Sequence, residues 1–101
     1  QVERGWLGLD ARDLSDTLRE MLGVNHGILV LATLPDGPAA TAGIEPGDVL
    51  MTLGAHQLLD SRSAMDRIAS FTPGSEVALT AIRDGKVLTT TVTMSRRPSK
   101  P

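Results

Sequence analysis

Apolar residues fall along this chain in short clusters, some spaced as one face of a helix and others patterned as strands. The first run, residues 5–9, is apolar and carries two glycines. Leu14, Leu18, Met21 and Leu22 recur at three- and four-residue spacing, which predicts a helix over 14–22 with an apolar stripe. Asp13 or Ser15 is placed to cap it and Gly23 to stop it. Residues 27–34 are almost continuously apolar with β-branched members, the pattern of a buried strand. A turn at 35–38 leads into a short helix over 39–42, whose small side chains let it lie close to neighbouring backbone. A second turn at 45–48 precedes a strand over 49–53, and the chain turns again at 54–57. Asp60 or Ser61 caps the next helix, which runs to about residue 70 before Pro73-Gly74 breaks it. The last two segments, 76–82 and 86–94, alternate apolar and polar residues as half-buried strands do. Arg83-Asp84-Gly85 joins them as a tight hairpin. About five short strands and two to three helices result. They predict an α+β domain, a small, largely antiparallel, partly closed sheet capped by helices.

Composition narrows this reading. With 101 residues, 41% hydrophobic and 22% charged, the chain is the size of one domain and can bury a core. Trp6 and Phe71 are its only aromatics, so that core is aliphatic. Net charge is −2 with mixed signs, and the basic stripe that nucleic-acid binding needs is missing. The run Arg96-Arg97-Pro98-Ser99-Lys100 reads as a solvated tail. Without cysteine, neither a disulfide framework nor a thiolate metal site forms. No apolar run approaches the ~20 residues of a membrane span, so no membrane contact is expected. No signal peptide opens the chain, and its first residue is Gln1 rather than Met, which marks it as a fragment of a longer protein.

Catalytic chemistry is not predicted for the fragment. His26 and His56 each lie in a Gly- or Asn-flanked turn, where a solvent-exposed ring is expected. Gly-x-Ser-x-Gly, His-Glu-x-x-His and phosphate-loop patterns do not occur. The serines are scattered through caps, turns and termini. No ligand spacing calls for a metal, and no cofactor is expected.

The stretch from Asp36 to Leu50, DGPAATAGIEPGDVL, resembles the signature of bacterial PDZ domains: Gly-Pro-Ala, two spacers, Ala-Gly-aliphatic, two spacers, Gly-Asp-x-aliphatic. Small residues let the short helix pack, Gly43 takes positive φ, and Gly47-Asp48 turns the chain into its strand. Over nearly its whole length the chain is similar to the PDZ domains of HtrA-type serine proteases. Arg4-Gly5-Trp6-Leu7-Gly8-Leu9 matches the family's aromatic-aliphatic-Gly-aliphatic loop, and the helix over 64–69 is followed by Pro73-Gly74. The resemblance implies a PDZ fold in the circularly permuted bacterial order, with the ligand loop first. It divides the chain into a linker (1–4), the domain (5–95) and a tail (96–101). It also implies a regulatory module that captures C-terminal carboxylates of misfolded or outer-membrane proteins. The attached trypsin-like protease would be a homotrimer in the periplasm, anchored to the inner membrane. Site-2 zinc proteases, C-terminal processing proteases and non-enzymatic scaffold or secretion proteins carry similar modules, and each is an alternative parent.

Gripping a C-terminus takes carboxylate donors, a strand edge and an apolar pocket. Around Trp6-Leu7-Gly8-Leu9, Gly8 lets successive backbone N–H groups converge on an anion. Leu9, Asp10, Ala11 and Arg12 supply an edge to which a peptide adds as a further strand. The family pattern places the pocket on helix positions one, five and eight, here Ser61, Met65 and Ile68, with Leu7 and Leu9 opposite. An apolar last residue is the simpler expectation, and Ser61 leaves the preference two residues earlier open. Arg4 either steadies the carboxylate or is a solvated linker residue. Trp6 either rims the loop or packs on the domain, and packing is the favoured reading.

Overall fold

The computed structural model describes residues 4–98. Within them the apolar run over 5–9 is shared between two strands. β1 (Gly5–Trp6) ends at a turn, and β2 (Leu9–Asp13) runs on to Asp13. The remaining elements are α1 (Asp16–Leu22), β3 (Ile28–Thr33), α2 (Pro38–Thr41), β4 (Val49–Leu53) and β5 (His56–Gln57). They are followed by α3 (Ser61–Ser70), β6 (Glu76–Arg83), β7 (Lys86–Thr93) and β8 (Ser95–Arg96). The described strands pair antiparallel throughout. Five of them follow the order β2-β3-β4-β6-β7, β5 pairs with β4, and β1 with β8 forms a separate ribbon. This is the α+β arrangement of a small sheet with helical caps, with three short strands more than the patterning marked.

The core is aliphatic, as two aromatic residues require. Ile28, Leu50, Leu53, Leu58, Leu79, Val92 and Met94 are fully buried, each a gain of about 1.5–3 kcal/mol over an exposed side chain. The β6–β7 hairpin turns on Asp84-Gly85 between Arg83 and Lys86, with positive φ at both residues, the requirement that makes Asp-Gly a hairpin signal.

Three local expectations are revised. α1 starts at Asp16 behind Ser15, whose hydroxyl accepts the Leu18 N–H at 3.1 Å, and none of its residues is buried. The predicted apolar stripe is not a core face: Leu14 is buried but precedes the helix, and Met21 is 77% exposed. The strand over 27–34 is not buried throughout. A register shift opposite Asp10 and Ala11 turns Leu31 and Ala32 outward. Finally, Arg96, assigned to a solvated tail, pairs with Gly5 in β8. Residues 1–3 of the expected linker and 99–101 of the expected tail lie outside the described residues.

The Gly47-Asp48 turn is pinned from across the sheet. Asp48 is buried, and Arg83 grips it with two guanidinium donors, Nε to Oδ1 at 2.8 Å and a terminal nitrogen to Oδ2 at 2.7 Å. The Glu45 N–H donates to Oδ2 at 2.9 Å, and Arg83 also donates to the Gly43 carbonyl at 2.7 Å. Burial pushes the Asp48 carboxyl up, but the Arg83 hydrogen bonds, the Glu45 N–H and the Arg83 charge outweigh it and hold the group below its ordinary range.

Candidate functional site

The turn between β1 and β2 is set by its carbonyls. Leu7 C=O accepts the Ala39 N–H at 2.9 Å, and Gly8 C=O accepts the Leu34 N–H at 2.8 Å. Across a trans peptide the N–H points opposite to the C=O. Both carbonyls are turned into the domain, so the Gly8 and Leu9 N–H groups face outward together, a two-donor concavity for an anion. The path needs glycine at position 8, where φ is +69° and a Cβ would lie 2.9 Å from the Trp6 indole. The indole therefore packs over the loop itself. Gly5 answers a second constraint: a Cβ there would meet the Ile68 and Phe71 carbonyls at 2.6 and 2.8 Å, so β1 sits directly on the end of α3.

Beyond the loop, β2 is the outer strand of its sheet. The Leu34 N–H bond to Gly8 makes Leu9–Thr33 a pair that exchanges no hydrogen bonds, so the Leu9 N–H and C=O point away from β3. Ala11 is alike: its partner Val30 spends its N–H on Asp48 and its C=O on Gly47. β2 thus presents unpaired backbone groups at alternate residues along a free edge, the template an added strand needs.

α3 runs beside that edge. The Asp60 carboxylate caps it through the Ser63 N–H at 2.7 Å, and this bond, with the Ser63 hydroxyl, holds Asp60 below the ordinary carboxylate range. From β2, Asp13 reaches across to accept the Ser61 N–H at 2.7 Å, tying strand and helix together at the far end of the groove. At the near end a cleft of about 430 Å³ opens between loop and helix. Leu7 and Ile68, 2% and 4% exposed, form its floor and also belong to the core, while Met65, 38% exposed, forms a wall. Arg4 lies at the cleft, and so do Arg97, Asp66 and Ala69, which were not anticipated.

The structure therefore brings Arg4, Trp6, Leu7, Gly8, Leu9, Met65 and Ile68 together. Ser61 does not line the cleft, because its N–H is committed to Asp13 one groove-length away. Along the expected edge Asp10 and Arg12 are exposed, while Ala11 is half-buried against the core. Ala69 was readable as the next turn of the Met65 face, four residues on. Arg97 carried no local signal, since only the β1–β8 pairing returns the chain to the loop. The histidines are half-buried rather than fully exposed as expected. His26 Nε2 is buried without a hydrogen-bond partner, and the His56 ring meets Phe71 edge-on at 6.4 Å. Among the described residues no cluster of His, Cys, Asp and Glu is grouped to hold a metal ion.

A family model for the PDZ domain matches residues 5–94. The chain belongs to the PDZ domain family. It is 34% identical over 100 residues to a probable periplasmic serine endoprotease, DegP-like, of Brucella suis, a match covering 97% of this chain and 20% of that protein. To the serine endoprotease DegS of Escherichia coli it is 33% identical over 101 residues, covering 98% of this chain and 28% of that one. Among solved structures, the HtrA-type protease AlgW with a decapeptide has a TM-score of 0.84 at 36% identity, covering 99% of this chain and 31% of that chain. The HtrA3 PDZ domain bound to a phage-derived ligand, at 21% identity and a TM-score of 0.78, shares the fold. The chain spans only 20–31% of the protease relatives it matches. It is a PDZ domain of the kind that HtrA-type serine endoproteases carry.

Proposed function

We propose that this PDZ domain captures the C-terminal tail of a protein partner by strand addition, and that capture regulates an attached HtrA-type serine endoprotease. The observation that carries the reading is the junction of three parts: the outward Gly8 and Leu9 N–H pair, the free β2 edge, and the apolar cleft facing Met65 and Ile68. The carboxylate docks on the two N–H groups, with Arg4 and Arg97 adding a positive field at the mouth. Both arginines are exposed, so their contribution is screened and small. The last side chain enters the cleft, and the preceding backbone pairs with Leu9 and Ala11. The peptide-bound AlgW structures support this reading.

A few strand hydrogen bonds and one pocketed side chain, offset by ordering of the tail, correspond to roughly micromolar affinity. Titration of the domain with an apolar-tailed decapeptide, as free acid and as C-terminal amide, tests it. The free acid binds at least about tenfold tighter, the worth of one charge-assisted pair of hydrogen bonds. Equal affinities would sink the carboxylate reading.

The names of the relatives support a periplasmic location, where tails of unfolded or outer-membrane proteins are the candidate ligands. Regulation follows if the peptide binds the activated arrangement of the protease better than the resting one. In the whole protease, saturating free-acid peptide then changes the initial rate of peptidase activity. The amide form should leave it unchanged.

A further inference from the structure

The chain has no cysteine, so its four methionine thioethers are the side chains that a two-electron oxidant such as hydrogen peroxide attacks first. The fold sorts them. Met94, 1% exposed, is closed in the core, and the Met51 sulfur is turned inward, 3.1 Å from where a Cβ on Gly27 would stand. Met21, 77% exposed, lies on α1, none of whose residues is buried. Of the four, only Met65 is both open to solvent and placed at the ligand cleft. The helix that carries it does not depend on it. Ala64 and Ile68 are the buried residues of α3, Asp60 caps it, and Met65 stands outside the core cluster. The cleft wall can therefore change its chemistry at this position without unfolding the domain.

We infer that Met65 is an oxidant-sensitive modification site, and that its conversion to the sulfoxide weakens capture of the tail. The inference rests on the capture reading above. A lone pair of the Met65 sulfur attacks one oxygen of the peroxide, the S–O bond forms and the O–O bond breaks. The other oxygen leaves with the electron pair as hydroxide, takes the proton of the oxygen now on sulfur, and becomes water. The sulfoxide is a strong dipole with an acceptor oxygen, and Leu7 and Ile68 on the cleft floor have no side-chain donor to meet it. An apolar terminal side chain then exchanges a soft, adaptable wall for a polar one. A bound tail also covers the sulfur, so occupancy slows its oxidation. A thiol-dependent sulfoxide reductase reverses the step, the thiols pairing as a disulfide while the oxygen leaves as water.

The test treats the domain with hydrogen peroxide, follows each methionine by peptide mass spectrometry and measures affinity by isothermal titration. The ligand is a decapeptide ending in valine, free of sulfur and aromatic side chains, as free acid and as amide. Met65 and Met21 gain oxygen well before Met51 and Met94, and saturating free acid slows the reaction at Met65 but not at Met21. With Met65 oxidised, the free acid binds about five- to tenfold more weakly, the worth of one partly covered apolar contact. A sulfoxide reductase with dithiothreitol restores the affinity. Met21→Leu, which does not line the cleft, suffers the same loss on oxidation. Met65→Leu, whatever its starting affinity, suffers none, and the shielding and the reversal need no variant. A Met65 that stays reduced while Met21 oxidises, or that the ligand does not shield, overturns the site. So does an affinity unchanged by oxidation, a loss that reduction does not reverse, or an equal loss in Met65→Leu. In each of these cases the acid-over-amide preference of the untreated domain still upholds capture. Absence of that preference overturns capture and the site together.

Discussion

At the scale of single residues, the loop and the sheet corner each hang on one side chain or its absence. Gly8 combines a positive φ with the indole at 2.9 Å, so Gly8→Ala strains the backbone by about 1–2 kcal/mol and displaces Trp6. Isothermal titration with the free-acid peptide should register at least a tenfold loss, more than the stability change alone explains. Asp48 acts on the fold instead. Asp48→Asn leaves the Arg83 guanidinium and the Glu45 N–H without their carboxylate, a cost of about 2 kcal/mol in urea unfolding. The pH dependence has a defined sign. The Asp48 carboxyl is depressed in the folded state, so its contribution is complete above the unfolded value near 4. It disappears as pH falls through the lower folded value. The gap in unfolding midpoint between the parent domain and Asp48→Asn should close from about pH 4 downward, and a constant gap to pH 2 would refute the account.

At the scale of elements, the groove is a relation between β2 and α3. Asp13 belongs to the strand but satisfies a donor of the helix, at 2.7 Å from the Ser61 N–H. Asp13→Ala should cost about 1 kcal/mol in thermal or urea unfolding and weaken peptide binding, because the far end of the groove loosens. The β2 edge gives a sharper contrast. Ala11 directs its N–H away from β3, so proline there removes no bond of the native ladder, as edge strands tolerate. Ala11→Pro is expected to fold, by circular dichroism and a cooperative unfolding transition, yet bind the decapeptide at least tenfold more weakly. Unchanged affinity would mean that ligands do not add to this edge.

For the molecule as a whole, ligand binding and folding are linked. The Cα radius of gyration is 13.0 Å, the value of a compact chain of this length, and the cleft is built from three distant stretches of it, Arg4 to Leu9, the α3 residues Met65 to Ala69, and Arg97. A peptide that binds only the folded state adds about 2.7 kcal/mol at a hundred times its Kd, or roughly 10–20 °C in Tm for a domain of this size. Differential scanning fluorimetry should show that rise with the free-acid tail and little of it with the amide.

What the sequence determined by itself was whatever depends on neighbours along the chain. The Asp84-Gly85 hairpin, the Asp60 cap, the 3.6-residue spacing of Met65 and Ile68 and the Gly8 turn are local matters of φ, hydrogen-bond donors and periodicity. Each stands in the structure near its expected position. The PDZ signature from Asp36 to Leu50 added the long-range order that no local rule supplies. Only the tertiary structure decided the rest. Leu14 is buried and Met21 exposed because the core takes the residue ahead of α1 and buries none of the helix itself. Leu31 and Ala32 face outward because β3 carries one residue more than β2, a register fact invisible in either strand alone. Asp13 serves α3 and not the helix that follows it, and Arg97 reaches the cleft only because β8 returns to β1. Such pairings join residues up to about ninety positions apart, where proximity follows from packing the whole core and not from any pattern within a window.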